Sequence, residues 1–119
     1  MILQYKDEEV LRGLFAKRWH PKLIDMYVWL IDRYGDRILL TCAHESRDYI
    51  SLHDMEPLRA FDLRSGLFDN PQETELEINL HWIYDFNRDD LKVGMVHDVG
   101  RGIHFHIQVH GNTMKRGSL

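Results

Sequence analysis

The chain has little cysteine and no long apolar run. Cys42 is the single cysteine among 119 residues, which excludes a framework of internal disulfide bonds. Its place in an apolar segment indicates a buried small side chain rather than a catalytic thiol. No apolar stretch reaches the roughly 18 residues that a membrane-spanning helix needs. The sequence therefore predicts neither a disulfide-stabilised secreted domain nor membrane insertion.

The chain also lacks a cluster of basic residues. The chain has 15 Lys and Arg against 19 Asp and Glu, a formal net charge of -4, and no segment combines clustered basic residues with aromatic ones. Nucleic-acid binding is therefore not expected. Residues 1–10 lack the basic start and apolar core of a secretion signal, so we expect synthesis in the cytoplasm without a signal peptide.

What the chain does have is enough apolar content for one core. Hydrophobic residues make up 44% of the sequence, which suits a single domain at this length. We expect that domain over residues 1–110, followed by a flexible C-terminal tail over residues 111–119.

Hydrophobic spacing predicts three helices and four strands. We expect the helices at residues 7–19, 21–34 and 73–87, with Gly35 closing the second one. The residues of the third helix that we expect to face the core are Leu76, Leu80, Trp82 and Ile83. We expect the strands at 37–43, 59–64, 92–98 and 103–109, the last two joined as a hairpin by a turn at 99–102, and a polar loop at 44–57. Together these elements predict an α+β domain in which helices pack on a small antiparallel sheet.

The last predicted strand carries two histidines on one face. His104 and His106 alternate with Phe105, and alternate residues of a strand point the same way. Asp62 lies in a second predicted strand and also has an apolar neighbour. Two histidines and one carboxylate, with a fourth position open to water, form the ligand set of a catalytic zinc ion. The competing interpretation is that the histidines lie at the surface and that Asp62 pairs with a neighbouring arginine.

Three segments of the chain resemble the motif of a zinc peptidase superfamily: Ser51-x-His53, Arg59-Ala60-Phe61-Asp62 and His104-x-His106. This superfamily contains D-alanyl-D-alanine carboxypeptidases and dipeptidases, phage L-alanyl-D-glutamate endopeptidases and the hedgehog signalling domain. The resemblance covers residues 21–110, and the small size resembles a phage or prophage endolysin-like member. It implies a hedgehog/DD-peptidase-like fold, a Zn²⁺ cofactor and peptidoglycan peptides with D-amino acids as substrate. It also implies release to the cell wall during phage lysis.

The same resemblance implies a role for each site residue. His53, Asp62 and His106 would bind the zinc ion, and His104 would lie beside the bound carbonyl or its water. Asp98 is the nearest acidic residue before the last histidine of the motif and would act as the general base.

A basic residue ahead of the first motif would complete the site. Arg47 fits that place and would hold the substrate carboxylate or carbonyl. Simpler interpretations stay open for two of these residues, because Asp98 precedes a glycine-rich turn and Arg47 lies in a polar loop.

The chain departs from the family motif in two places. Nine positions separate His53 from Asp62, a longer spacing than in the family, and the family's glycine between them is absent. Asp98 lies eight positions before His106, farther than in close relatives. These departures favour a second hypothesis, a noncatalytic zinc-binding phage structural or cell-wall-binding module with the same fold.

The remaining histidines are expected to have simpler roles. His97 alternates with Asp98 and is expected to be structural, on the face away from the site. His110 is a candidate auxiliary ligand because it shares a face with His104 and His106 if the strand continues. The others, His20, His44 and His81, are expected to be surface or capping groups.

Overall fold

The structure is a computed structural model that describes residues 3–44, 57–98 and 103–117, without the side chains of residues 43, 44 and 98. Its elements are α1 (Glu8–Phe15), α2 (Pro21–Tyr34), β1 (Leu40–His44), β2 (Ala60–Leu63), α3 (Pro71–His81), β3 (Trp82–Ile83), β4 (Gly94–Asp98), β5 (Ile103–Gln108) and β6 (Met114–Lys115). The predicted class is confirmed: this part of the chain is α+β, with three α-helices and a small antiparallel sheet. The helices of the described ranges are too short or too polar to span a bilayer. The predicted loop at 44–57 and turn at 99–102 lie almost wholly outside those ranges.

Helix α1 begins where the sequence predicts and ends earlier. The Asp7 carboxylate caps the helix by accepting a hydrogen bond from the Val10 N–H at 2.9 Å. The predicted continuation to residue 19 is wrong, because the helix ends at Phe15. The Trp19 indole N–H donates to the Leu14 carbonyl at 2.8 Å, which satisfies a terminal carbonyl with a side chain instead of another helical turn.

Helix α2 occupies the predicted span because both of its ends have strong local signals. His20 is the N-cap, and its Nδ1 accepts from the Lys22 N–H at 3.0 Å, so the predicted capping role is confirmed. Burial, followed by the nearby charge of Arg59, lowers the pKa of His20 and favours the neutral ring that can accept this bond. Pro21 suits the first turn, and Gly35 ends the helix at a φ of 61°.

The main sheet has the strand order β1-β2-β5-β4, and all of its neighbours are antiparallel. The predicted hairpin of the last two strands is confirmed as β4 and β5. On β2 and β5, Phe61 pairs with Ile107 and Leu63 pairs with Phe105, and all four side chains are at most 1% exposed. One face of the sheet therefore belongs to the core, and the alternate residues of the same strands form the opposite face.

Helix α3 ends at His81, so the predicted helix over 73–87 is wrong beyond that residue. Trp82 and Ile83 instead form β3, which pairs with β6. The predicted inward-facing residues are confirmed only in part. Trp82 is 6% exposed, but Leu76 and Leu80 are 61% and 60% exposed, and the fully buried residue of α3 is Ile78. The reason is that α3 turns a mainly polar side towards the sheet.

That polar side binds the outer edge of β4. The Glu75 carboxylate accepts from the Val96 N–H, and the Asn79 amide both accepts from the Gly94 N–H at 3.1 Å and donates to the Gly94 carbonyl at 2.8 Å. These side chains supply partners that a neighbouring strand would otherwise supply. Helix α3 thereby fixes the position of β4 and of His97 on it.

The expected flexible tail is ordered in its first part. Met114 and Lys115 form β6, and Thr113 is fully buried with its hydroxyl donating to the Tyr84 carbonyl at 2.8 Å. The Arg116 N–H continues the pairing by donating to the His81 carbonyl at 2.8 Å. Pairing with β3 therefore holds residues that show no strand signal of their own.

An ion pair between α2 and α3 makes stability depend on pH. Glu77 accepts from the Arg33 guanidinium at 2.9 Å and from the Tyr34 hydroxyl, and the Arg33 bond followed by the Tyr34 bond lowers the pKa of Glu77 from 4.5 to about 2. A lowered carboxyl pKa contributes stability above the ordinary value and loses it as pH falls from 4.5 towards 2.

Glu77→Gln should therefore lower the free energy of unfolding at pH 7 by about 1 kcal/mol, a figure discounted because the side chain is 39% exposed. Urea unfolding of wild type and variant at pH 7 and pH 2.5 measures this. The gap between them should shrink at the lower pH, and a gap of equal size at both pH values would contradict the prediction.

Candidate metal centre

The sheet brings three of the predicted site residues to its non-core face. Asp62 on β2 pairs directly with His106 on β5, and His104 lies two residues earlier on the same strand. Residues directly opposite each other in an antiparallel pair project from the same face. Phe105, between the two histidines, is fully buried on the other face. The apolar residues of these strands thus support a polar group from behind.

The Asp62 carboxylate lies between the two imidazoles. Its Oδ1 is 3.1 Å from His106 Nδ1, and its Oδ2 is 3.9 Å from His104 Nδ1. The Asp62 side chain is 8% exposed, against 14% for His106 and 35% for His104. A carboxylate at this depth requires hydrogen-bond donors or a cation, since burying an isolated charge is costly.

The contact between Asp62 and His106 has the length of a hydrogen bond and is also close to the separation of two zinc ligands. Two ligand atoms that each lie about 2.0–2.1 Å from a zinc ion are roughly 3.3–3.4 Å apart. Asp62 Oδ1 and His106 Nδ1 are 3.1 Å apart, whereas the 3.9 Å contact of Asp62 with His104 involves the other carboxylate oxygen. Within residues 3–44, 57–98 and 103–117, no group of three or more His, Cys, Asp or Glu has the full arrangement of a metal site. Asp62 and His106 are the two predicted ligands that the described residues bring side by side.

The third predicted ligand and the side chains of two predicted catalytic residues cannot be placed beside them. His53 and Arg47 both lie in the segment 45–56, outside the described residues. Asp98 ends β4 opposite Ile103, and its side chain is likewise outside the description. Because Asp98 pairs with Ile103, its position in the sheet alternates with those of His104 and His106. Its role as general base stays a prediction.

His97 was assigned to the wrong face by sequence reasoning. It pairs with His104, and its ring stacks on that of His106 with centroids 6.0 Å apart and planes 30° apart. The correct face could have been predicted from the strand register. If Asp98 pairs with Ile103 in an antiparallel hairpin, His97 pairs with His104. His97 therefore belongs to the polar face of the site.

One nitrogen of His104, Nε2, is buried and has no hydrogen-bond partner within residues 3–44, 57–98 and 103–117. Most buried polar atoms bond to protein or to ordered water. An oxygen acceptor brought to this atom would satisfy it.

His110 lies away from this group and has local contacts of its own. Its Nδ1 accepts from the Asn112 N–H at 3.1 Å and lies 3.8 Å from Asp85 Oδ2. Strand β5 ends at Gln108, before the alternation reaches His110. The structure therefore gives no support to His110 as an auxiliary ligand.

A cleft of about 270 Å³ is lined in part by Lys92, whose carbonyl contacts Gln108. Its charged and aromatic lining residues are of three kinds, aromatic, basic and acidic: Trp82, Tyr84, Phe86, Arg88, Lys92, Arg116, Asp85 and Asp89. The Lys92 carbonyl accepts from the Gln108 amide at 2.8 Å, and Gln108 in turn contacts His106 at 3.2 Å. The cleft and the candidate metal centre are thus joined through one side chain.

Comparison with known proteins gives no match. No family model matches the chain, and neither a curated protein nor a solved structure is significantly similar to it.

Proposed function

We propose that this chain is a zinc-dependent peptidase that hydrolyses peptidoglycan peptides containing D-amino acids, on a hedgehog/DD-peptidase-like fold. The observation that carries the proposal is the pairing of Asp62 with His106, 3.1 Å apart and largely buried on the polar face of the sheet. A buried carboxylate and an imidazole at this separation suit a divalent cation. His53 would complete the ligand set.

The chemistry divides between the ion and the chain. A bound zinc ion lowers the pKa of its water to about 7 and polarises the scissile carbonyl. In the proposal, Asp98 accepts a proton from the attacking water and returns it to the leaving amine. His104 donates a hydrogen bond from its buried Nε2 to the substrate carbonyl oxygen, and Arg47 binds a substrate carboxylate.

The cleft offers basic side chains to a peptide carboxylate. Peptide stems end in carboxylates, and Lys92 and Arg116 lie in the wall of the cleft together with the acidic Asp85 and Asp89. Arg88 is already paired with Asp90 at 2.9 Å, so Lys92 and Arg116 are the stronger candidates for substrate contact. The aromatic side chains of the same cleft suit the apolar parts of a peptide or sugar.

A noncatalytic zinc-binding phage structural or cell-wall-binding module is the second candidate. One observation favours it: the strand register aligns His97, rather than Asp98, with His104. A histidine stacked on a zinc ligand can support the ligand without acting as a base. The two candidates share the metal and differ in turnover.

Metal content tests the zinc site. Elemental mass spectrometry of the purified wild type should find about one zinc per chain, and His106→Ala should lose it because a ligand is removed. His20→Asn is the matched control, since it removes a distant histidine and keeps a capping oxygen for α2. Zinc-free wild type after zinc has been added back would overturn the proposal.

Hydrolysis separates the two candidates. Zinc-loaded wild type should cleave purified peptidoglycan fragments, and Asp98→Ala should be slower by about 10²–10⁴-fold with its zinc retained. Zinc-loaded wild type without any cleavage would establish the noncatalytic module instead.

A further inference from the structure

The Gln108 side chain has a single chemically acceptable orientation. Its Nε2 donates to the Lys92 carbonyl at 2.8 Å, and its Oε1 lies 3.2 Å from His106 Nε2. The opposite orientation would place the amide oxygen against the Lys92 carbonyl oxygen, and neither atom can donate. The amide therefore presents an acceptor to His106.

That acceptor determines which ring nitrogen of His106 carries hydrogen. An amide oxygen only accepts, so the contact at 3.2 Å requires a hydrogen on Nε2. In a neutral imidazole the lone pair is then on Nδ1. Nδ1 is the atom that lies 3.1 Å from the Asp62 carboxylate.

A lone pair and a carboxylate oxygen at this distance need positive charge between them. A divalent cation bound by both atoms would supply it. The polar face is thus arranged so that His106 offers Nδ1, and not Nε2, at the place where Asp62 offers Oδ1.

We propose that Gln108 is a positioning residue of the metal centre: its carboxamide, anchored on the Lys92 carbonyl, holds His106 as the Nε2–H tautomer and directs Nδ1 to the ion. This inference rests on the proposed zinc site. Hydrogen bonding by the outer nitrogen of a ligating histidine fixes ring orientation and tautomer in metalloproteins generally. Here the partner is a neutral amide, which leaves more positive charge on the ion than a carboxylate partner would.

Three variants test the role through zinc affinity, measured by competition with a chromophoric chelator. Gln108→Met keeps the length of the side chain without its acceptor, and should weaken zinc binding by about 10–100-fold. Gln108→Glu keeps an acceptor for His106 but loses the donor to the Lys92 carbonyl, so it should recover only part of that loss. Gln4→Met is the matched control, because Gln4 also donates to a backbone carbonyl, that of Asp36 at 2.8 Å, far from the site. Its affinity should equal that of the wild type.

Nitrogen NMR of the His106 ring supplies a second measurement. If Gln108 only stabilised the fold, Gln108→Met would leave the His106 tautomer unchanged. In zinc-loaded wild type, Nε2 should carry the hydrogen and Nδ1 should bind the metal, whereas Gln108→Met should lose this preference. Equal zinc affinity in wild type and Gln108→Met would overturn the role of Gln108 and leave the zinc site standing. Wild type that binds no zinc would instead overturn the proposed function. If the wild type binds no zinc, the same NMR measurement on the zinc-free protein still tests the positioning role. The absence of a hydrogen on His106 Nε2 would then overturn that role as well.

Discussion

Replacing Asp62 by asparagine should weaken zinc binding by about 100-fold or more, the upper end of what changes around a zinc site produce. The substitution keeps the size of a side chain that is only 8% exposed, so it removes charge without opening a cavity. Carboxylate oxygen is a common zinc ligand, and a neutral amide oxygen is a poor one. Isothermal titration of metal-free protein with zinc measures the change.

The chain offers a matched control for this variant. Asp85 is another shielded carboxylate near a histidine, 11% exposed and 3.8 Å from His110 Nδ1. Asp85→Asn should lower stability slightly, because a neutral amide oxygen accepts the hydrogen bond from the Asn87 N–H more weakly than a carboxylate does, and it should leave zinc affinity unchanged. Equal loss of zinc binding in both variants would show that destabilisation, and not ligation, explains the effect of Asp62→Asn.

Phe105→Ala should lower the free energy of unfolding by about 3–5 kcal/mol. Phe105 is fully buried, packs on Phe68 with ring centroids 5.3 Å apart, and lies between the two histidines of β5. The loss includes both the transfer of the ring from water and the cavity that remains. The melting temperature should fall on the order of 15 °C, as followed by circular dichroism.

An exposed phenylalanine is the control for this loss. Phe15 is 70% exposed at the end of α1, and Phe15→Ala should change stability by no more than about 0.5 kcal/mol. A loss below about 1 kcal/mol in Phe105→Ala would mean that the ring contributes little to the core behind the site.

Local signals explain what sequence reasoning could predict of the fold. Helix α2 has its predicted bounds because Pro21 and Gly35 act within one turn of the chain. The sequence does not predict the pairing of β3 with β6, which joins Trp82 to Lys115. These residues are far apart in sequence, and each strand has only two residues, too few to show hydrophobic alternation. The pairing of these distant segments determines where α3 ends and keeps Met114 and Lys115 in a strand.

Helix α3 shows where the rule of apolar residues inside fails. Leu76 and Leu80 are spaced as a helical stripe, yet both are exposed. The side turned to the sheet carries Glu75 and Asn79, which make hydrogen bonds with the backbone of β4. The spacing of residues in the sequence does not predict these bonds.

The site was predictable only as far as strand alternation reaches. Alternation places His104 and His106 on one face, and the structure adds Asp62 directly opposite His106. The contributions of His97 and Gln108 depend on hairpin register and on the Lys92 carbonyl, which require the folded chain.

The bonds from Glu75 and Asn79 to β4 also limit how a peptide can be recognised. Backbone groups that would accept an added strand at this edge, those of Val96 and Gly94, are already taken by side chains of α3. A peptide cannot extend the sheet there, and the same closure guards the edge against aggregation. In the proposed function, recognition at this side of the sheet would then depend on side chains of the polar face and the cleft. A peptide with D-residues suits that mode, because its backbone would pair poorly as a regular strand.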